Sequence, residues 1–575
     1  MKKSALFLAT TSLLSLYACN NPIEQKSLDK DITQAIPEPV VLEELEKAEA
    51  KSPAPAKKIK QQIVSRTSAG YAMDAIAGLS QPMNTVPVHQ EQNREKYTHL
   101  EQNGIVLVKD SPVSTFSIDV DTGSYTNSRR MIADGVLPPK DAVRIEEFIN
   151  YFSYNNEKLA SHEVPFSVMT EVGPTPWNNN TRLMRISLDS TAIQRDQLKA
   201  SNLVFLIDVS GSMRSPYKLE LLKKSLKLLA RQMRDNDRIA IVVYAGASGV
   251  ALEPVAGNDV IKIEQALDKL QAGGSTNGSA GIKLAYQLAR QSFIEKGNNR
   301  VILATDGDFN VGTVNQQALI DIIEHNRKQG IALSTLGFGK GNYNDALMEQ
   351  LADHGNGNHA YIDNLFEAQK VLVDEMGSTL QTVAKDVKIQ IEFNPQQISE
   401  YRLIGYENRL LAEEDFNNDS VDAGEIGAGH SVTALYEISL KDQPGHMEPR
   451  RYTHSEQIDS QQGTDFSNEL AYIKLRYKEP SADNSKLLTF PVMKKDVISH
   501  LHNTSNDFRF AAAVAGYAQK LKGGKYLQNQ SWQELQDLAA NARGTDANGV
   551  RSNFLQMLSM TRTIDTVYQT PMAHE

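Results

Sequence analysis

Cysteine is almost absent from this sequence, because Cys19 is the only one among 575 residues. An internal disulfide is therefore excluded. The formal net charge is -10 and no long basic patch occurs, which disfavours nucleic acid binding and electrostatic attachment to anionic lipid. The sequence contains no nucleophile elbow, no phosphate-binding P-loop and no zinc motif. What is present is an ordinary globular composition, 40% hydrophobic and 23% charged, in a chain long enough for two to four domains.

The first 18 residues have the pattern of a targeting segment. A short basic region precedes residues 5–18, which are apolar but too few to span a bilayer stably. The segment ends LYAC at Cys19 and resembles a bacterial lipoprotein signal peptide, which implies cleavage before Cys19 and a lipid such as palmitate on its sulfur. Asn20 follows instead of an aspartate, and by resemblance to enterobacterial sorting this favours the outer membrane of a Gram-negative cell envelope. The alternative is an ordinary secretory peptide with an incidental cysteine.

Residues 19–95 are predicted to form a flexible tether. Glu, Lys, Gln, Pro and Ala dominate, with PEPV at 37–40 and SPAPAKK at 52–58. A segment of this composition buries too little apolar surface to form a core and stays disordered or extended. We therefore expect the globular part of the chain to begin at about residue 96.

One stretch in the middle of the chain combines a buried strand with oxygen-bearing side chains. Residues 203–213 read LVFLIDVSGSM, so that five apolar residues are followed by Asp208, Ser210 and Ser212. The continuous apolar run predicts a strand of a parallel sheet that is buried on both faces. Open α/β sheets bind ligands at the carboxyl ends of their strands, and hard cations such as Mg²⁺ take oxygen ligands. The stretch therefore predicts a cation site at the end of a strand.

Two later stretches supply further oxygens. Residues 273–281, GGSTNGSAG, form a glycine-rich loop that presents Thr276, and residues 301–308, VILATDGD, predict a second buried strand that ends at Thr305 and Asp306. The order D-x-S-x-S, loop threonine and strand-end T-D-G resembles the metal-ion-dependent adhesion site of von Willebrand factor A-type domains. The positions that match this site are Asp208, Ser210, Ser212, Thr276 and Asp306.

The resemblance implies a role for each of these residues. Ser210 and Ser212 are expected to bind a divalent cation directly, and Thr276 directly or through water. Asp208 and Asp306 are expected to support the ion mainly through water. The ion is expected to be Mg²⁺ or another divalent cation such as Mn²⁺ or Ca²⁺. Two carboxylates and three hydroxyls leave it short of negative charge with one open coordination position, and an Asp or Glu carboxylate of a protein partner is expected to fill that position.

Residues 201–375 alternate predicted strands and helices, which is typical of a parallel sheet with right-handed crossovers. The resemblance to an A-type domain covers this whole range and implies a Rossmann-like, doubly wound α/β fold. Residues 96–190, predicted as an N-terminal family domain, and residues 385–565 resemble the regions on either side of the A-type domain in a family of bacterial lipoproteins. The second of these regions alternates apolar and polar residues and then turns helical, which predicts a β-rich part followed by a small helical part.

The order of these predicted elements also indicates how the domains are connected. Strands are predicted at 166–188, before the α/β domain, and at 386–477, after it. An inserted domain has its two ends close together. We therefore predict that the α/β domain is inserted into a β unit whose flanking strands pair in one antiparallel sheet.

Two classes of function are compatible with these residues. The first is a cell-envelope lipoprotein that binds a protein partner through the metal site, in adhesion, assembly or scaffolding, without catalysis. The second is an envelope enzyme: D-V-D-T resembles the nucleophile motif of haloacid-dehalogenase-type phosphatases, in which Asp119 attacks phosphorus and Asp121 protonates the leaving group. The matching lysine and acidic metal pair are not evident, and a strand end followed by a helix is the simpler interpretation. We therefore predict a binding protein.

Overall fold

The computed structural model describes residues 94–154, 164–276, 278–307, 309, 315–448 and 466–569. All of them belong to one unit, Pro87–Glu575. The predicted signal peptide, Cys19 and the predicted tether as far as residue 93 lie outside the described residues. Within the described ranges, no helix is long and apolar enough to cross a membrane.

The described residues form three β-sheets together with α-helices. The strands are β1 (Val106–Leu107), β2 (Val113–Ser117), β3 (Phe166–Thr175), β4 (Asn178–Ser190), β5 (Ser201–Asp208), β6 (Arg238–Tyr244), β7 (Ser248–Ala256), β8 (Asn298–Thr305), β9 (Ile331–Phe338), β10 (His359–Ile362), β11 (Thr382–Phe393), β12 (Ile398–Ile404), β13 (Gly424–Gly427), β14 (Ser431–Leu440), β15 (Glu469–Lys478) and β16 (Ser485–Met493). The helices are α1 (Gly123–Ala133), α2 (Ile145–Asn150), α3 (Leu221–Ala230), α4 (Val260–Asp268), α5 (Gly278–Gln291), α6 (Gln316–Lys328), α7 (Asp345–His354), α8 (Leu365–Gln369), α9 (Met376–Leu380), α10 (Asn506–Leu521), α11 (Trp532–Asn541) and α12 (Val550–Gln569).

The α/β domain is built on a six-stranded sheet with the strand order β10-β9-β8-β5-β6-β7. β5 lies inside this sheet and is parallel to both β6 and β8. Its side chains alternate between two cores: Leu203, Phe205 and Ile207 pack with α3 and α4, whereas Val204 and Leu206 pack with α5, α6 and α7. Burial on both faces explains the continuous apolar run. The doubly wound fold that the sequence predicts is confirmed.

Two elements of this domain differ from the simplest prediction. The edge strand β7 is antiparallel to β6, because the connection at 245–247 is long enough for a hairpin but too short for the crossover that a parallel strand requires. The helical segment that closes the domain is interrupted by a π-helical turn at Lys370–Asp374, so that α8 and α9 are separate helices.

The strands before and after the α/β domain form two sheets together. β4 is antiparallel to β14, with Leu188 opposite Val432, and β2 is antiparallel to β11, with Phe116 opposite Ile389. One sheet has the order β1-β12-β14-β4-β3 and the other joins β13, β11, β15 and β16, with β2 also on β11. Their inner faces share one hydrophobic core. The α/β domain is therefore inserted into a β-sandwich, and the predicted pairing of its flanking strands is confirmed.

Helices cover the other face of the sheet that contains β4, β12 and β14. Leu183, Ile404 and Leu435 project from these strands into a core that includes residues of α1, α2, α10, α11 and α12. The predicted helical C-terminal region is thus present, and it packs on the sandwich together with helices from the segment that precedes the α/β domain.

Candidate metal centre

Asp208 is the last residue of β5 and is fully buried. Its Oδ1 accepts a hydrogen bond from the backbone N–H of Ser210 at 2.8 Å. Its Oδ2 accepts from the hydroxyls of Thr305 at 2.9 Å and Tyr244 at 3.2 Å. Burial raises the pKa of Asp208, the hydrogen bonds from Ser210 lower it, and the Asp306 carboxylate raises it. The carboxylate is therefore held in place by the ends of β6 and β8 at the carboxyl edge of the sheet.

Ser210 and Ser212 follow Asp208 on the same short loop. Ser210 is buried and Ser212 is exposed, and their hydroxyls share a hydrogen bond with the two oxygens 2.9 Å apart. The two side chains thus point toward each other from alternate positions of the loop, with one of them open to solvent.

Two backbone hydrogen bonds join this loop to the glycine-rich loop. The N–H of Gly273 donates to the carbonyl of Val209 at 2.8 Å, and the N–H of Gly211 donates to the carbonyl of Gly274 at 3.0 Å. A Cβ atom at Gly211 would lie 3.3 Å from the same carbonyl, so a small residue suits this close approach. The half-buried Thr276 lies two residues beyond the joined segment, on the loop that the sequence predicts to complete the site.

Asp306 follows β8 and is fully buried. Its Oδ2 accepts a hydrogen bond from the ammonium group of Lys218 at 2.8 Å. Lys218 lies in a π-helical turn, Pro216–Glu220, that precedes α3, and it also donates to Oδ1 of Asn342 at 3.1 Å. Lys218 belongs to none of the sequence motifs that indicate the centre. Only the fold brings it to Asp306, which is 88 residues away in the sequence.

The donor set fits a small hard cation. Adjacent ligands of octahedral Mg²⁺ lie about 2.9 Å apart, because each is about 2.0–2.1 Å from the ion, and the hydroxyl oxygens of Ser210 and Ser212 have this separation. Across the described ranges, no three His, Cys, Asp or Glu side chains gather as a metal cluster. The residues that would hold a cation here are Ser210, Ser212 and Thr276, with Asp208 and Asp306 in support.

A cavity of about 770 Å³, which we call the cleft, lies beside Ser212. One wall comes from the α/β domain and another from the segment that precedes it. The backbone N–H of Arg94 donates to the carbonyl of Gly341 at 2.8 Å, so the last residues of the predicted tether contact the α/β domain. Arg94 is exposed, and Tyr217 is 70% exposed. The cleft is lined by basic, aromatic and hydroxyl residues, which include Arg94, Arg130, Ser212, Tyr217, Lys218 and Lys340, and by the acidic residues Asp134 and Asp363.

Asp119 and Asp121, the residues of the alternative phosphatase motif, are buried and border a second cavity of about 240 Å³. Asp119 Oδ2 accepts a hydrogen bond from Nε of Arg409 at 3.2 Å, and Asp121 Oδ1 accepts from the backbone N–H of His359 at 2.8 Å. Burial and the neighbouring Asp119 carboxylate raise the pKa of Asp121. The two side chains join the segment before α1 to β10 and to the chain after β12. This arrangement favours a packing role over a nucleophile.

Three family models match the chain. Residues 91–185 match a model described as von Willebrand factor. Residues 202–375 match the von Willebrand factor type A domain, and residues 378–564 match the C-terminal region of the uncharacterized protein YfbK. The second match covers β5, the glycine-rich loop and the end of β8, which carry the candidate metal centre.

Similarity to individual proteins extends beyond the α/β domain. The YfbK protein of Escherichia coli strain K12 is 46% identical over 480 residues, which is 82% of this chain and 82% of that protein. Human inter-alpha-trypsin inhibitor heavy chain H3 is 23% identical over 278 residues, 45% of this chain and 31% of that protein. A solved structure described as von Willebrand factor type A from Catenulispora acidiphila is 15% identical with a TM-score of 0.39, and the match covers 71% of this chain and 91% of that one.

Proposed function

The chain belongs to the YfbK-like family of proteins with a von Willebrand factor type A domain, and from this premise we propose that it binds a protein partner through a divalent cation. Domains of this type serve adhesion and protein interaction. The observation that carries the proposal is the group of oxygens at the end of β5: the paired hydroxyls of Ser210 and Ser212 lie on one loop with Asp208, which Thr305 ties to the end of β8. The residues proposed to hold the cation are Asp208, Ser210, Ser212, Thr276 and Asp306.

The charge of this donor set supports a role for the partner in completing the site. Hydroxyl ligands are neutral, and Asp208 and Asp306 are the carboxylates of the centre. Mg²⁺ releases water reluctantly and requires near-octahedral geometry, so affinity for the ion alone should be modest. An Asp or Glu carboxylate from a partner adds negative charge and fills the open position. Metal and partner should therefore strengthen each other's binding by the same factor.

The cleft supports a polypeptide as the partner. Its lining includes Ser212 of the proposed centre together with Tyr217, Arg94 and Lys340. Tyrosine and arginine are enriched in the energetically important parts of protein interfaces. A partner segment that places its carboxylate at the cation would run along the cleft and contact these exposed side chains.

We propose that the protein is located in the cell envelope and is held there by a lipid anchor. Support comes from the sequence LYAC at Cys19 after a short basic and apolar segment, and the residue that follows favours the outer membrane. Several acyl chains on one lipoprotein hold it stably on a membrane, whereas a single chain binds only marginally. A protein held there by residues 19–95 would present its metal centre to other envelope proteins.

Affinity capture with the purified full chain tests the proposed function. Envelope extracts are applied with Mg²⁺ or with EDTA, to wild type and to Asp208→Asn. We expect one or more proteins to be retained by wild type with Mg²⁺ and lost in EDTA and in Asp208→Asn. Asp237→Asn is a matched control, because Asp237 is also buried but lies at the start of β6, at the opposite edge of the sheet. If wild type with normal circular dichroism retains the same envelope proteins in EDTA as in Mg²⁺, metal-dependent binding is ruled out.

A further inference from the structure

Lys218 is fixed beside the candidate metal centre by contacts along its whole length. Its ammonium group contacts Asp306 Oδ2 at 2.8 Å and Asn342 Oδ1 at 3.1 Å, and its side chain is 9% exposed. Its methylene chain lies against Gly339, where a Cβ atom would collide with three of its carbons. Gly339 has φ +76°, a conformation that favours glycine. The space beside Gly339 therefore fits the methylene chain of the lysine, which holds the ammonium group at Asp306.

This lysine changes the charge balance of the centre. Asp208 and Asp306 supply two negative charges when both are ionised, and Lys218 supplies one positive charge. The three charged groups then sum to one negative charge, and a divalent cation would bring the centre to one positive charge. A single carboxylate from outside would bring it to zero. Without the lysine, the cation alone would neutralise the two aspartates.

We infer that Lys218 makes the centre dependent on its partner: the lysine weakens the hold on the cation alone and leaves a positive charge that a monoanionic ligand must neutralise. This inference rests on the proposed function and adds to it a residue that sets the coupling between metal and partner. The ligand class is a single carboxylate, from an Asp or Glu side chain. Lys218 is a positioning residue here, because it acts through Asp306.

Metal titration of the purified full chain tests the inference without knowledge of the partner. Isothermal calorimetry measures the affinity for Mn²⁺ in wild type and in Lys218→Met, each with and without acetate as the carboxylate probe. Removal of a positive charge this close to a divalent ion should raise the affinity for Mn²⁺ alone by roughly tenfold or more. Acetate should raise the Mn²⁺ affinity of wild type, and should raise that of Lys218→Met by a smaller factor.

Two further variants separate charge from packing. Lys218→Arg keeps the positive charge and should retain the weak wild-type affinity. Lys223→Met removes another largely buried lysine, on α3, that pairs with Glu220 at 2.9 Å; it should leave Mn²⁺ affinity unchanged. If circular dichroism shows that Lys218→Met does not fold, Lys218→Gln provides the neutral variant, since its amide still donates to Asp306.

The outcomes distinguish this inference from the proposed function. Equal or weaker Mn²⁺ binding by the folded neutral variant overturns the inference, while the proposed function stands if wild type binds the metal and Asp208→Asn does not. The inference is also overturned if acetate raises the affinity for Mn²⁺ by the same factor in wild type and in the neutral variant. Failure of wild type and the neutral variant alike to bind Mn²⁺ contradicts both.

Discussion

The guanidinium of Arg144 contacts the carboxylate of Asp345 in the interior, joining the segment that precedes the α/β domain to helix α7 within that domain. The side chains are 2% and 1% exposed, and Arg144 also contacts Glu147 and Glu349. Burial opposes the charge on Arg144, but the three carboxylates raise its pKa well above the usual range. The inserted domain is thus held against its host by ion pairs as well as by its two chain connections.

Removal of Arg144 should destabilise the protein strongly. In Arg144→Ala the carboxylate of Asp345, whose pKa is lowered by Arg144 although burial raises it, remains buried without that cation, and loss of one partner from a buried ion pair costs about 3–5 kcal/mol. Urea denaturation followed by circular dichroism measures the free energy of unfolding. The control is Lys262→Ala, which breaks a pair with Asp259 in which Lys262 is 64% exposed, and should cost less than about 1 kcal/mol. Similar losses for both variants would contradict the structural role of Arg144.

Stability should fall as the pH rises above 5. Burial raises the pKa of Glu147 to about 8 and that of Glu146 to about 7, from an ordinary 4.5. The folded state therefore keeps protons that the unfolded state releases above pH 4.5, so this stabilisation is complete below 4.5 and is lost as the pH rises to 8. Each such proton contributes up to about 1.4 kcal/mol per pH unit.

The stability of the fold should also decrease as the pH falls below about 4.5. His446 and Arg402 hold the pKa of Glu437 at about 2 although burial opposes them, and this stabilisation is lost as the pH falls from 4.5 toward 2. Urea denaturation between pH 3 and 9 should therefore give a maximum near pH 5. Glu147→Gln should flatten the decline above that maximum, and a stability that instead rises steadily from pH 5 to 8 would show that these carboxyl groups are not protonated in the folded state.

Substitution of Asp208 should abolish metal binding without loss of the fold. Asp208→Asn keeps the volume and most hydrogen bonds of a side chain whose charge is disfavoured by burial. Its melting temperature without metal should equal or exceed that of wild type, because a desolvated charge has been removed. Differential scanning calorimetry should show that Mg²⁺ raises the melting temperature of wild type and leaves that of the variant unchanged. A Mg²⁺-dependent rise that persists in Asp208→Asn would place the ion elsewhere.

Partner binding should depend on Tyr217 independently of the metal. Its ring is 70% exposed at the cleft, and truncation of a central interface tyrosine costs about 2 kcal/mol. Tyr217→Ala should weaken binding of a captured partner while leaving Mn²⁺ affinity unchanged, because the residue donates no oxygen to the centre. Phe293→Ala removes another exposed aromatic ring, 41% exposed, beyond the C-terminal end of α5 and away from the cleft. The Phe293→Ala variant should bind the partner like wild type. An equal loss of partner affinity in both variants would contradict the cleft as the binding surface.

Lipidation should depend on Cys19, the single cysteine of the chain. Metabolic labelling with a fatty acid in the native host should mark the wild-type protein, and Cys19→Ser should abolish the label and release the protein from membranes. Ala18→Gly serves as the control, because it keeps a small residue beside the cysteine. An unlabelled wild-type protein in the soluble fraction would exclude the lipid anchor.

The features that could be predicted from the sequence are those with local or periodic origins. The apolar run before Asp208 indicates burial on both faces, and its abrupt end indicates a sheet edge, so the position of Asp208, Ser210 and Ser212 could be anticipated. The period-two pattern around the α/β domain indicates strands that need partners, and β4 and β14 provide them for each other. These inferences depend only on neighbouring residues and on the order of elements.

The remaining features depend on contacts between distant parts of the chain. Lys218 lies outside the motifs of the metal centre, and only the folded chain brings it to Asp306. The residues that line the cleft are also far apart in the sequence, because Arg94 and Arg130 lie outside the α/β domain. Charged residues at such positions have no local pattern that distinguishes them from solvated surface residues.

The insertion of the α/β domain also sets the order in which the protein can fold. Ser187 on β4 faces Thr433 on β14 across 246 residues of sequence, and Ser114 bonds Tyr436 across 322. A chain that emerges from its amino end completes the α/β domain before either partner strand of the sandwich exists, and domains generally fold as units in that order. β2 has no partner strand until β11 is complete at residue 393, and the edge of β4 that faces away from β3 stays unpaired until β14 is complete at residue 440. Unpaired strand edges are templates for association with other chains. The strands β2 and β4 are therefore exposed to association with other chains while the rest of the protein is being synthesised.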